Sequence, residues 1–137
     1  MTSHLRRIVL STTVIAAAAT LAACGSMSAM HAAHHPAPAA TMDGMLVGAK
    51  QMTLYTFDKD TAGSGKSVCN GPCANNWPPL MVDGEPHAMG DWSVVTRDDG
   101  SRQWAYKGQP LYYWVKDMKP GDKTGDDVNK VWHVARP

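Results

Sequence analysis

Apolar and polar side chains alternate in short runs along this chain, and the runs are cut by Gly, Pro and Asp clusters. Tyr55 and Phe57 fall on one face of an extended segment, Leu54 and Thr56 on the other. At the far end, Trp132, Val134 and Arg136 share a face, and His133 and Ala135 share the opposite one. Trp92–Arg97 and Arg102–Tyr106 flank Asp98-Asp99-Gly100-Ser101, which predicts a β-hairpin with Asp-Gly in its turn. Lys107-Gly108 turns the chain again into Pro110–Val115, so three strands run as a meander. Strands are predicted near 45–48, 52–57, 79–82, 92–97, 102–106, 110–115 and 131–135.

The pattern occurs twice. Leu54-Tyr55-Thr56-Phe57-Asp58-Lys59-Asp60 is matched by Leu111-Tyr112-Tyr113-Trp114-Val115-Lys116-Asp117. A loop rich in Gly, Asp and Lys follows each copy, and then a tryptophan, Trp77 or Trp132. An internal repeat of this kind predicts two copies of one supersecondary unit. The fold expected is all-β: two β-meander repeats packed face to face as a small sandwich-like domain. Its core is expected around Tyr55, Phe57, Trp77, Tyr112, Trp114 and Trp132.

The loops after the two motifs carry the candidate chemistry. Asp58-x-Asp60-x-x-Gly63 has the opening of a calcium loop. Ala62 stands where a third oxygen ligand is needed and Cys69 where a bidentate Glu is needed, so a turn is the better reading. Asp60 and Asp117 are expected to end their strands by accepting backbone N–H groups from the following loop. Cys69 and Cys73 are expected to form a disulfide, because two nearby cysteines in an exported chain most often do. A thioredoxin-like pair would need Cys-x-x-Cys, a c-type haem Cys-x-x-Cys-His, and a zinc site more ligands nearby; none of these is present. Pro72 is placed to open a short helical turn near 72–76. His133 is expected to be a half-buried structural histidine.

The amino terminus changes the picture of where the domain works. Arg6 and Arg7 precede an apolar stretch, Ile8 to Ala19, that is too short to span a bilayer. Leu21-Ala22-Ala23-Cys24 follows, and it resembles the bacterial lipobox. That resemblance implies a signal peptide over 1–23, cleavage before Cys24, and lipid on the Cys24 thiol and amine. The implied address is the bacterial cell envelope, lipid-anchored in the outer membrane and facing the periplasm.

Residues 24–43 read as a disordered tether of Ala, Ser, Met, His and Pro, leaving 44–137 as the domain. The tether holds Met27, Met30, His31, His34 and His35. Thioether and imidazole suit Cu(I), Cu(II) or Zn(II), so a periplasmic copper- or zinc-binding role is the alternative function. Without residues 1–23, 11 basic and 12 acidic side chains remain. No basic face is available for phosphates, which argues against nucleic acid as a partner.

Several motifs occur in order over residues 44 to 137: Tyr55-x-Phe57-x-x-Asp60, Ser67-x-Cys69-x-Gly71-x-Cys73, Trp77-Pro78-Pro79-Leu80, Tyr112-x-Trp114-x-x-Asp117 and Trp132-His133-Val134. Together they resemble the bacterial secreted-repeat lipoproteins, which carry a Tyr-x-(Phe/Trp/Tyr)-x-x-Asp motif and have no established activity. The resemblance implies the lipoprotein address and two repeats, and assigns no catalytic residue. No nucleophile–base pair or phosphate loop stands out. The function expected is a non-enzymatic envelope module, without a cofactor, that binds a protein or small ligand or serves a structural role.

Overall fold

A computed structural model describes residues 36–137. The elements are short: β1 (Ala40–Met42), β2 (Met45–Val47), β3 (Tyr55–Phe57), α1 (Pro72–Asn76), β4 (Trp92–Thr96), β5 (Arg102–Tyr106), β6 (Gln109–Pro110) and β7 (Trp132–Val134). All strand pairs are antiparallel. The domain is all-β apart from single helical turns, and α1 sits where Pro72 was expected to start it.

β1 lies within the stretch assigned to the tether. Its partner is β2, in register Met42↔Met45. The two residues between them, Asp43 and Gly44, both have positive φ, 49° and 73°. That is the two-residue hairpin turn Asp-Gly favours, so ordered structure begins ahead of residue 44.

The expected strands at 79–82 and 110–115 shrink to isolated pairings. Pro79 and Met81 bridge to Tyr112 and Gln103, and Tyr112 also bridges to Tyr55. Pro78, Pro79 and Pro110 supply no N–H, which breaks a continuous ladder.

The repeats are interlocked by strand exchange. Tyr55 pairs with Tyr112 on one side and with Val134 on the other, while Tyr112 pairs with Tyr55 and with Pro79. The order across the centre is therefore Pro79, Tyr112, Tyr55, Val134. Each repeat's last segment borders the motif strand of the other repeat. The Tyr55 N–H donates to the Tyr112 carbonyl (2.8 Å) and the Tyr112 N–H returns the bond to the Tyr55 carbonyl (3.0 Å). This reciprocal pair marks a pseudo-twofold axis.

Two closed rings of backbone hydrogen bonds obey the same symmetry. Leu54 donates to Leu46, Leu46 to Ala135 and Ala135 to Leu54, at 2.9, 2.8 and 2.8 Å. Leu111 donates to Trp104, Trp104 to Leu80 and Leu80 to Leu111, at 3.0, 2.8 and 2.8 Å. Each ring takes two segments from one repeat and the third from the other.

Strand alternation then sets the core. Leu46, Leu54, Leu80, Trp104, Leu111 and Ala135 form one buried cluster. Met45, Tyr55, Phe57, Cys69, Trp77, Tyr112, Trp132 and Val134 form a second. Neighbouring residues such as Leu54 and Tyr55 enter different clusters because successive side chains point to opposite faces. Leu54 and Leu111 are fully buried, each contributing about 1.5–3 kcal/mol of transfer free energy.

Candidate functional site

Tyr55, Phe57 and Tyr112 of the two motifs lie in the second cluster, and Trp114 packs against it. Phe57 stacks on Trp132 (ring centroids 4.1 Å apart), Trp132 on Trp77 (3.8 Å), and Trp77 on Trp114 (4.0 Å). The column is symmetric: Phe57 corresponds to Trp114, and Trp132 to Trp77. Tyr55 meets Trp77 edge-on at 5.4 Å, and Tyr112 meets Trp132 edge-on at 5.2 Å. Such contacts add about 0.5–1.5 kcal/mol per pair beyond area burial. Gly125 is required beside this column, because a Cβ there would stand 2.8 Å from Trp77 and 3.0 Å from Trp114.

The polar ends of the motif cross between repeats. Tyr55 donates its hydroxyl to Asp117 Oδ2 (2.6 Å), and Tyr112 donates its own to Asp60 Oδ2 (2.5 Å). The other oxygen of each carboxylate holds its own loop. Asp60 Oδ1 accepts the Val68 N–H (2.7 Å); Asp117 Oδ1 accepts the Thr124 N–H (2.9 Å) and its hydroxyl (2.7 Å). The carboxylates thus cap their loops and also bind a tyrosine from the other repeat. Burial pushes both tyrosines well above the usual phenol range, reinforced by the carboxylate each one faces. Burial also raises Asp60, opposed by its bonds to Tyr112 and Val68.

One side of this pattern has an addition that sequence reasoning missed. Arg97 is 5% exposed. Its guanidinium donates to Ser67 Oγ (3.1 Å), Gln103 Oε1 (2.6 Å), the Cys69 carbonyl and Asn70 Oδ1. Ser67 Oγ in turn lies 2.7 Å from the Tyr112 hydroxyl. Since Tyr112 donates to Asp60, Ser67 is the donor to Tyr112, and Arg97 is linked through it to Asp60. Alternation along Trp92–Arg97 could not show this, because the acceptors come from a distant loop.

Cys69 and Cys73 form a disulfide with Cα atoms 5.2 Å apart. His133 Nε2 lies 2.8 Å from Asp58 Oδ2, with both side chains about half exposed. Asp60, Asp117 and His133 therefore each have a different partner. Cys24 and the tether residues Met27, Met30, His31, His34 and His35 lie outside the described residues.

A solvent-open groove of about 710 Å³ lies against the first cluster. Val47, Leu80, Met81, Met89 and Trp104 supply apolar walls; Tyr113, Asp83, Glu85 and His87 supply polar ones; Pro36 to Ala40 run along one side. Tyr113 is fixed there, since its oxygen accepts the Ala49 N–H (2.9 Å) and a Cβ at Gly48 would collide with it. Burial raises the Tyr113 phenol, and the nearby Asp83 charge adds to the shift. The size and the mixture of apolar walls with few polar groups are those of a small-molecule site. The groove draws on five separated segments, so no single motif announces it.

A sequence-family model described as a secreted repeat of unknown function matches the chain twice, over residues 39–81 and 93–136. No curated protein and no solved structure matches.

Proposed function

The chain belongs to a family of secreted repeats of unknown function, and on that premise we propose a lipid-anchored envelope protein that acts by binding and not by catalysis. One observation carries this reading. The reactive-looking groups of the repeat motif are engaged with one another in the core, whereas the groove offers apolar, aromatic and carboxylate groups to solvent. A rigid interlocked scaffold with an open groove holds a ligand at low ordering cost. The lipobox-like Cys24 supports anchoring, with the acyl chains in the outer membrane and the domain in the periplasm.

Immobilised domain should retain a compound or protein from an envelope extract. A variant carrying Met81→Lys and Met89→Lys, folded by circular dichroism, should not. Retention of nothing by the intact domain, or equal retention by the variant, contradicts the reading. Metabolic labelling with a palmitate analogue tests the anchor separately: the label should disappear in Cys24→Ser.

Copper or zinc binding is the second reading. It rests on the Met and His residues of the tether. Titration with Cu(I), Cu(II) and Zn(II), with and without residues 25–35, tests it. Equal, weak binding by both chains removes it.

A further inference from the structure

We propose that the groove selects an organic cation: a ligand with an apolar body and an ammonium group. The inference rests on the binding role proposed above and specifies its ligand class.

Two features point to the same chemistry. The first is charge. Asp83 and Glu85 line the groove, and no lysine or arginine does so among the described residues. The salt bridges among the described residues, Lys130–Asp127 and His133–Asp58, do not involve either carboxylate. Arg102 reaches the same loop, but a guanidinium N–H there is bonded to the Gly84 carbonyl at 3.0 Å. Both carboxylates thus line the groove, and among the described residues no salt bridge ties either to a cationic side chain.

The second feature is aromatic. Trp104 and Tyr113 form part of the wall, and Tyr113 is held by the Ala49 N–H and the bare Cα of Gly48. A cation beside an indole or phenol face is attracted by the ring quadrupole, most strongly for tryptophan. Aromatic faces together with carboxylates are the groups that recognise alkylammonium ions. An anionic ligand would meet like charge, and a neutral one could gain hydrogen bonds from Asp83 or Glu85 but no charge attraction. A volume of about 710 Å³ accommodates a drug-sized molecule.

The position in the chain agrees with a selective role. The two repeat matches end at residue 81 and resume at residue 93. Asp83, Glu85, His87 and Met89 therefore belong to the connection between repeats. The repeats build most of the apolar wall, and the connection adds Met89 and the charge.

The test uses benzyltrimethylammonium and its neutral isostere neopentylbenzene, titrated into the intact chain and read at the Trp104 indole N–H by NMR. The cation should bind about tenfold more tightly than the isostere at low salt. Asp83→Asn with Glu85→Gln should weaken that preference several-fold, leaving the part that Trp104 and Tyr113 supply. Equal binding of the two probes by the parent chain, or a preference undiminished in the double variant, overturns selection by these carboxylates but leaves the groove as a binding site. Absence of binding by both probes overturns the proposal that the groove takes a ligand of this class, while the binding role stands or falls on the retention experiment. Trp104 shifts that follow protein concentration without any probe overturn the proposal in favour of a second copy of the chain.

Discussion

The Tyr55 hydroxyl reaches across 62 residues of sequence to donate to Asp117 Oδ2 at 2.6 Å. Its symmetry mate, Tyr112 to Asp60, runs the other way between the repeats. Asp60 and Asp117 each hold their own loop with one oxygen and the other repeat with the second. The motif spacing Tyr-x-aromatic-x-x-Asp follows from this geometry. Tyr and the ring lie on one strand face, one above the other, and the Asp stands past the turn where it can meet the neighbouring repeat's tyrosine.

Replacing Gly125 with alanine tests the aromatic column. The added methyl would press on Trp77 and Trp114, and forcing extra volume into packed surroundings costs about 1–3 kcal/mol. Chemical denaturation should show that loss. The near-ultraviolet circular dichroism of the stacked tryptophans should weaken, while the far-ultraviolet spectrum is retained.

The Cys69–Cys73 bridge closes a short loop, so its effect through the unfolded chain is modest. Cys69→Ala with Cys73→Ala should lower stability by about 2 kcal/mol. The domain should remain folded, because the Trp column and the exchanged strands do not pass through the bridge. Denaturation of the double variant against the parent measures this.

Much of this arrangement was legible in the sequence, and what was hidden has a physical reason. The repeat, the buried aromatic residues, the meander and the disulfide all follow from spacing and alternation. Strand exchange does not. Alternation says which face Tyr55 and Trp132 occupy, but two copies of one repeat leave equivalent edges, and the pattern cannot say which copy pairs with which. β1 was hidden by its Ala-Thr-Met composition, although Asp43-Gly44 was a usable hairpin signal. Arg97 was hidden because a buried arginine is satisfied here by carbonyl and hydroxyl oxygens from Ser67 to Asn70 and by Gln103, not by an acidic neighbour in sequence.

Alkaline titration reports on the crossed pairs. Tyr55 and Tyr112 have folded-state values raised above the unfolded value near 10. The native state therefore keeps protons that the unfolded chain loses. The associated stability is present below about pH 10 and falls as pH rises further, by about 1.4 kcal/mol per pH unit for each such tyrosine. Denaturant midpoints measured from pH 9 to 11.5 should show this decline. Tyr55→Phe and Tyr112→Phe should each make the slope shallower, though both start from a lower stability.

The most direct test of the interlock is a set of double-mutant cycles on folding stability. Tyr55→Phe with Asp117→Ala, and Tyr112→Phe with Asp60→Ala, probe the crossed pairs; Tyr55→Phe with Asp60→Ala, and Tyr112→Phe with Asp117→Ala, probe residues of one repeat. Each single substitution should cost about 1–3 kcal/mol, because it leaves a buried polar group without its partner. The crossed cycles should show a coupling of about 0.5–3 kcal/mol, and the same-repeat cycles should be additive to within about 0.5 kcal/mol. Additive crossed cycles, or coupling confined to residues of one repeat, would contradict the exchange of contacts between the two repeats.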